Sequence, residues 1–506
     1  MGPKLIRPAL SQATDLICLR CGTQYRLEVD YIPCKRCGGQ LVLDLDLDAI
    51  SKKVTKATFA NRAWGIWRYR ELLPDIAERK IVSIGEGGTA LLRCERLAQT
   101  LGLRILFVKD ETTNPTGSFL DRGMTVEISR ANELGFGMVS CQADSGNFAA
   151  SASAYAARAG LNCAIHSPRE RIEKIDLGKL YQIIAYGGNI VIESRSMNQA
   201  PNNVGERSYK LSPSNPFFAE GEKTAAYEIC EQLGWRTPDR IIVPMGHGEH
   251  LSMIWRGINE LRKVGLVNEQ HASMTGVQLE GYSGIVDELQ GKKAADMSHG
   301  RVKTIAVELA MKIPTHGYLA IRSIRDSGGE GIKVRDTEVL DAMTLLARTE
   351  GIFAEPAAAA TIAGLKKLVD QGRVDRNEEI VCVVTGAGLK DPYTARKFIA
   401  KVKQVDKILS QLESRRFTTR LGRTKLEILK IIAEKETYGY ELWATLKQRL
   451  AWDLDISSVY QHLSELERVG LIKRSRIASV LGKPERYYYS TTDRGKALIT
   501  SAERTD

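Results

Sequence analysis

The chain has 506 residues, of which 43% are hydrophobic and 26% charged, with a formal net charge of +11. That length implies about three to four units, and the composition is that of an ordinary soluble globular protein. No apolar run reaches the length of a membrane span, and the N-terminal MGPKLIRPALSQATDLICLRC has neither the apolar core of a signal peptide nor the Ser/Thr of a myristoylation site, so a cytoplasmic protein with no membrane partner is expected.

Residues 1–50 read as a metal knuckle. Cys18-x-x-Cys21 is followed after twelve residues by Cys34-x-x-Cys37. Two such turns offer four thiolates to one tetrahedral ion and leave no open position, which points to structural zinc; the spacing alone leaves rubredoxin-like iron open. Either a nucleic-acid-binding zinc ribbon or a stapled cap on the following unit fits the pattern, and the cap is favoured because a closed four-cysteine site mainly contributes folding energy. Cys94, Cys141, Cys163, Cys230 and Cys382 are scattered through apolar segments and read as small buried hydrophobes. Residues 51–84 read as a connector with helical stretches. From 85 to 395, short β-rich runs (RILFVKD, MVSCQAD, NCAIHS) alternate with helical ones (RGMTVEISRANELG, NFAASASAYAARAG), the pattern of parallel βαβ units in a doubly wound α/β body. Residues 396–420 read as a linker helix and a basic break. Residues 421–506 form a separate, basic domain: the segment 415–506 carries an excess charge of +6, against +5 for all the rest, which points towards nucleic acid.

Within the body, Asp110-Glu111-Thr-Thr-Asn114-Pro115-Thr116-Gly117-Ser118-Phe119-Leu120-Asp121-Arg122-Gly123 is followed in order by Asp144-Ser145-Gly146-Asn147, Glu220-Gly221-Glu222-Lys223-Thr224, Val243-Pro244-Met245-Gly246-His247-Gly248-Glu249-His250, Glu350 to Ala357, and Thr385-Gly386-Ala387-Gly388. This series resembles the threonine synthases, fold-type II enzymes that use pyridoxal phosphate (PLP), over roughly residues 15–395. The resemblance implies a cleft lined by Ser118, Asn147, Gly246, His247, Gly248, Glu249, His250 and Thr385. In the family, the equivalents of Asn147 and Thr385 contact the cofactor ring, and the Gly-rich turn cradles its phosphate. The family's Ser-Phe-Lys-Asp-Arg reads Ser118-Phe119-Leu120-Asp121-Arg122 here. Leucine has no amine to form the imine or move the proton, so no catalytic residue is assigned. Glu249 stands in the phosphate cradle, and Ala358 replaces a family serine. PLP is therefore doubtful and at most non-covalent. His247-x-x-His250 with Glu249 reads as a polar turn, and no metal is assigned there.

The last domain reads helix, helix, helix, hairpin, helix. Leu426, Leu429 and Ile432 line the first helix; Leu442, Trp443, Leu446 and Leu450 the second; Val459, Leu463 and Leu466 the third, with Ser457 as its N-cap and Gly470 ending it. ILKIIAEKETYGYEL, ISSVYQHLSELERVGLI and GKPERYYYSTTDRGKAL resemble the PadR family of winged-helix regulators. That resemblance implies a third helix in the DNA major groove, with Ser458, Gln461 and His462 at base edges. It also implies a wing whose Lys473, Arg474, Arg476, Lys483 and Arg486 neutralise phosphates. Tyr487–Tyr489 read as hairpin packing. The expectation is a homodimeric regulator that binds double-stranded DNA and senses an amino-acid or phosphorylated metabolite through a degenerate cleft. A working threonine synthase with a regulatory winged helix, and a structural DNA-binding protein without ligand, remain alternatives.

Overall fold

In the computed structural model, residues 15–27, 33–142, 146–168, 175–193, 208–268, 272–292, 303–399, 422–450, 455–478 and 486–502 are described. Asp144, Ser145, Lys483, the wing tip at 479–485 and most of the linker helix lie outside them. The chain forms two compact units, residues 1–396 and 397–506.

The first unit begins with a small antiparallel sheet, β1 (Asp15–Cys18), β2 (Gln24–Arg26) and β3 (Leu41–Leu43), in the order β2-β1-β3. Its inner side chains Leu16, Leu41 and Leu43 share one buried cluster with Ile50, Phe59, Ile66, Tyr69 and Leu72, so the knuckle and the stretch that follows it pack into the body's core. The Tyr318 hydroxyl accepts from the Gln40 N–H at 2.6 Å, and Arg256 donates to the Leu43 carbonyl at 2.9 Å, which fastens the knuckle to the body.

Next come β4 (Leu91–Arg93), β5 (Ile105–Asp110), α1 (Asp121–Glu133), β6 (Met138–Gln142), α2 (Asn147–Ala159), β7 (Asn162–Pro168), β8 (Asn189–Glu193) and β9 (Ser208–Lys210). They continue through α3 (Pro216–Glu222), α4 (Thr224–Gln232), β10 (Arg240–Pro244), α5 (Glu249–Lys263), β11 (Ser273–Leu279), β12 (Glu330–Val334), α6 (Pro356–Asp370) and β13 (Glu379–Val384). The strands build a parallel sheet β8-β7-β6-β9 and a larger sheet β12-β11-β10-β13-β5-β4, parallel except for β4. β10 and β13 are buried along their whole length, as expected of apolar strands covered by helices on both faces. The alternation anticipated from the sequence is thus the observed architecture.

Helices α1 and α3 approach so closely that a Cβ on Gly221 would lie 1.9 Å from the Arg122 carbonyl oxygen, so only glycine fits there. Beneath that contact lies a fully buried ion network. The Arg122 guanidinium pairs with Glu111 at 2.6 and 2.7 Å and with Glu228 at 2.7 and 2.8 Å, and Lys109 meets Glu228 at 2.7 Å. These bonds join the end of β5, the first turn of α1 and the middle of α4.

The second unit holds α7 (Arg423–Glu434), β14 (Thr437–Tyr438), α8 (Gly439–Leu450), α9 (Ile456–Arg468), β15 (Ile472–Ala478), β16 (Arg486–Thr491) and α10 (Asp493–Ala502), with sheet order β14-β16-β15. Its core comprises Leu429, Ile432, Leu442, Leu446, Val459, Leu463 and Leu466, the faces anticipated from helical spacing. Gly470 takes the left-handed φ of 72° that ends α9.

Removing one side of a buried charge network leaves the other charges uncompensated. Arg122→Met is expected to lower the stability of the first unit by about 3–5 kcal/mol in chemical denaturation, and an unchanged midpoint would show that the network does not hold the fold.

Candidate ligand cavity, cysteine cluster and nucleic-acid face

The loop before α1 is over-determined. The Asp121 carboxylate accepts from the Thr116 N–H at 2.7 Å, the Thr116 hydroxyl at 2.8 Å and the Ser151 hydroxyl at 2.5 Å, while the Phe119 N–H donates to the Thr385 carbonyl at 3.0 Å. This places Leu120 at the head of α1, on the wall of a cavity of about 310 Å³, near the lower end of small-ligand sites. Asn147, Gly246, His247, Gly248, Glu249, His250 and Thr385 line the same cavity. Ser118 does not: it is buried behind the wall, its hydroxyl accepting from the Leu120 N–H at 3.4 Å. Ala358 is likewise fully buried and is not among the lining residues, whereas Ala357 is. The Gly248 turn is left-handed (φ 89°), and a Cβ there would meet Ala320 at 2.7 Å.

Sequence reasoning missed several wall residues. Glu222, Glu308 and Glu355 add carboxyls, and Phe148, Leu309 and Met311 add apolar surface. Glu222 stood in a recognised motif, but nothing in the motif says that its side chain turns inwards; Glu308 comes from a loop without periodicity.

The cavity's charges divide into two groups. Lys179, fully buried, binds Glu308 and lies 3.1 Å from Asp176 and 3.6 Å from Glu355. Among the described residues, Glu249 and Glu222 have no cation of this kind. Burial, with the Glu222 and Glu127 carboxyls nearby, pushes Glu249 well above the usual carboxylate range, and burial lifts Glu222 to about 8. His250 is held down to about 3 and His316, 3.5 Å from Glu249, down to about 4, both by burial, so both rings are neutral. The His250 ring packs on Phe119 at 4.2 Å between centroids.

The fold's customary cofactor can be tested against these residues. An imine needs an amine, and Leu120 has none. Lys109 is bonded to Glu228, Lys223 is paired with Glu220 and Glu260, Lys390 donates to the Thr116 carbonyl, and Lys179 is held as above. A phosphate at the Gly246–Glu249 turn would face a carboxyl rather than a bare helix N-terminus. Position 120 thus offers no amine for an imine, and each of the four lysines named here is hydrogen-bonded or ion-paired with other groups.

The four sulfurs of Cys18, Cys21, Cys34 and Cys37 all lie within 4.8 Å of one another, with Cys18–Cys37 at 3.5 Å and Cys21–Cys34 at 3.6 Å. Tetrahedral zinc with Zn–S of about 2.3 Å requires sulfurs about 3.8 Å apart, so the donor set fits a zinc ion.

In the second unit, α9 is capped by Asp455 rather than Ser457: the Asp455 carboxylate accepts from the Ser458 N–H at 2.7 Å, and the Ser457 hydroxyl donates to it at 2.6 Å. A carboxylate accepts both bonds and suits the helix dipole. Gln461 is exposed, but Ser458 and His462 are only half-exposed, and Tyr460 presents more surface at 48%. On the hairpin, Arg474 lies 4.6 Å over the Tyr487 ring, Arg476 3.9 Å over Tyr488, and Arg486 4.8 Å over Tyr438. Tyr489 is buried in the core, whereas Tyr487 and Tyr488 serve as platforms that fix two arginines. Lys473 is exposed beside them.

Comparison with known proteins now becomes decisive. The pyridoxal-phosphate dependent enzyme family matches residues 82–386. The chain belongs to that family. Threonine synthase from Methanocaldococcus jannaschii is 43% identical over 383 residues, covering 75% of this chain and 93% of that one. Threonine synthase from Methanosarcina acetivorans is 38% identical over 384 residues, again covering 75% and 93%. The transcriptional regulator PadR-like family matches residues 428–501. The two matches together support a fusion of a threonine-synthase-like unit to a regulator unit. Maize serine racemase shares the fold (TM-score 0.51, 22% identity, 63% of this chain and 93% of that one), as does threonine deaminase isoform 2 from Solanum lycopersicum (TM-score 0.50, 19% identity, 62% and 83%). Among the described residues no helix is long and apolar enough to cross a membrane.

Two outcomes follow. Purified protein is expected to carry one zinc ion per chain by elemental analysis, and Cys34→Ser to lose it together with several degrees of thermal stability; a metal-free native protein of equal stability would contradict the assignment. The folded Glu222 carboxyl holds its proton more tightly than the unfolded one. Its contribution is therefore fully present below about pH 4.5 and disappears as pH rises towards 8. Over that range the melting temperature of Glu222→Gln should fall less than that of the native chain; equal falls would show that Glu222 does not titrate as described.

Proposed function

We propose that this protein is a DNA-binding transcription regulator whose threonine-synthase-like unit acts as a small-metabolite sensor and dimerisation body instead of a PLP enzyme. The observation that carries this reading is Leu120 in the cavity wall, with every lysine named above engaged elsewhere. Without an imine-forming amine, the family's covalent partner and proton carrier are both missing, a loss worth several orders of magnitude in rate. The retained cavity keeps recognition, and differential affinity of a ligand for two conformers sets DNA occupancy. Zinc in the cysteine cluster has a structural role.

The DNA face is assigned to Ser458, Gln461 and His462 on α9, and to Lys473, Arg474, Arg476, Lys483 and Arg486 on the wing; Lys483 lies outside the described residues. One winged helix reads a short half-site, so a homodimer on a paired site is proposed. The protein is placed in the cytoplasm, on the nucleoid when bound to DNA.

The 43% identity to a threonine synthase favours a second reading, an active synthase with an appended regulatory unit. One experiment separates the two. Full-length protein incubated with PLP should show no borohydride-reducible visible band and form no threonine from phosphohomoserine; a reducible imine with turnover would sink the sensor reading. For the DNA face, Arg476→Ala should weaken binding similarly across sequences and lower the salt slope by about 1, and an unchanged slope would remove Arg476 from the phosphate contacts.

A further inference from the structure

Two ends of the cavity differ in their charge balance. At one end Glu308 and Glu355 face the buried Lys179 amine, and Asn147 donates to Glu355 at 3.1 Å. At the other end Glu249, only 6% exposed, leaves Oε1 without a hydrogen-bond partner, and Glu222, 2% exposed, leaves Oε2 without one. His250, also 6% exposed, has neither ring nitrogen bonded, and Asn147 Oδ1 is unpartnered. All four residues line the one cavity. A buried polar atom without a partner costs about 1–3 kcal/mol, and several in one wall are what a complementary ligand would satisfy. The two carboxyls, one nitrogen of the neutral His250 ring and Asn147 Oδ1 each offer a hydrogen-bond acceptor. Among the described residues, the titratable groups around Glu249 supply no positive charge: Glu222 and Glu127 are carboxyls, and the neighbouring His250 and His316 are neutral.

Resting on the sensor reading above, we propose that the cavity takes a small ligand with a protonated primary amine, and no phosphate, whose ammonium group sits against Glu222 and Glu249. As the ligand binds, one of the two carboxyls gives up its proton to solvent, and the three N–H donors of the ammonium meet the carboxyl oxygens and the acceptor nitrogen of the His250 ring. The apolar body of the ligand lies against Phe119, Leu120, Phe148, Leu309 and Met311. A phosphate dianion in the place of the ammonium would meet two carboxyls and a neutral imidazole instead of a cation, and it would oppose ionisation of either carboxyl.

The test is calorimetric titration of full-length protein with 1,4-diaminobutane, L-lysine, L-threonine and benzylamine. Each is compared with its N-acetylated form, and inorganic phosphate and PLP serve as anionic probes. At least one free amine should bind saturably, about tenfold or more tighter than its acetylated form, and Glu222→Gln and Glu249→Gln should each weaken it about tenfold or more while circular dichroism stays unchanged. No binding by any amine, equal binding of the acetylated form, or undiminished binding in both variants would overturn the proposal, as would preferential binding of phosphate or PLP. Saturable amine binding with no effect on DNA affinity would uphold this assignment and defeat the sensor reading. A phosphate-bearing ligand that alters DNA affinity would do the reverse.

Discussion

Arg122 is bound by both Glu111 and Glu228 in a place with no access to water, and Lys109 completes the charge balance. A guanidinium with two bidentate carboxylates is rigid in direction as well as position. Because Arg122 sits two residues beyond Leu120, this network fixes where α1 begins, and with it the wall of the cavity. Asp121, bonded to Thr116 and Ser151, fixes the loop leading into it. None of these bonds involves the residue at position 120. The frame around position 120 therefore stands independently of the side chain there.

Leu120 is apolar, Glu249 stands at the turn where the family binds phosphate, and Glu222 adds a second carboxyl beside it. Burial favours the protonated form of these carboxyls, which makes them tolerable there. A ligand with its own positive charge can shift that balance, and such a ligand supplies the energy to favour one conformer over another. In the second unit Arg474 and Arg476 are stacked on Tyr487 and Tyr488, so these two side chains have less freedom to lose on meeting a partner.

Much of the architecture was legible in the sequence because its signals are local. Period-2 and period-3.6 runs between 104 and 167 name the strands and helices that are found, and the Cys-x-x-Cys pairs name the cluster. Gly470 marks a helix end through its left-handed backbone. The site was legible only where a motif spelled it, as for Gly246–His250. Glu308 and Glu355 join the cavity because strand ends and loops far apart in the chain converge there, and no periodicity encodes that. Ser118 and Ala358 are the opposite case: they stand inside recognised motifs yet are buried and not among the residues that line the cavity. At α9, Ser457 and Asp455 are both good caps by residue type, and only geometry shows that the carboxylate takes the role.

The central claim is that recognition in this cavity is read out on DNA. The most direct measurement is genome-wide footprinting with the purified full-length protein, with and without the amines and amino acids that bind it. The account predicts a reproducible set of paired sites whose occupancy changes with ligand at physiological salt. Shifts seen only at low salt, with no reproducible sites and no response to ligand, would contradict it.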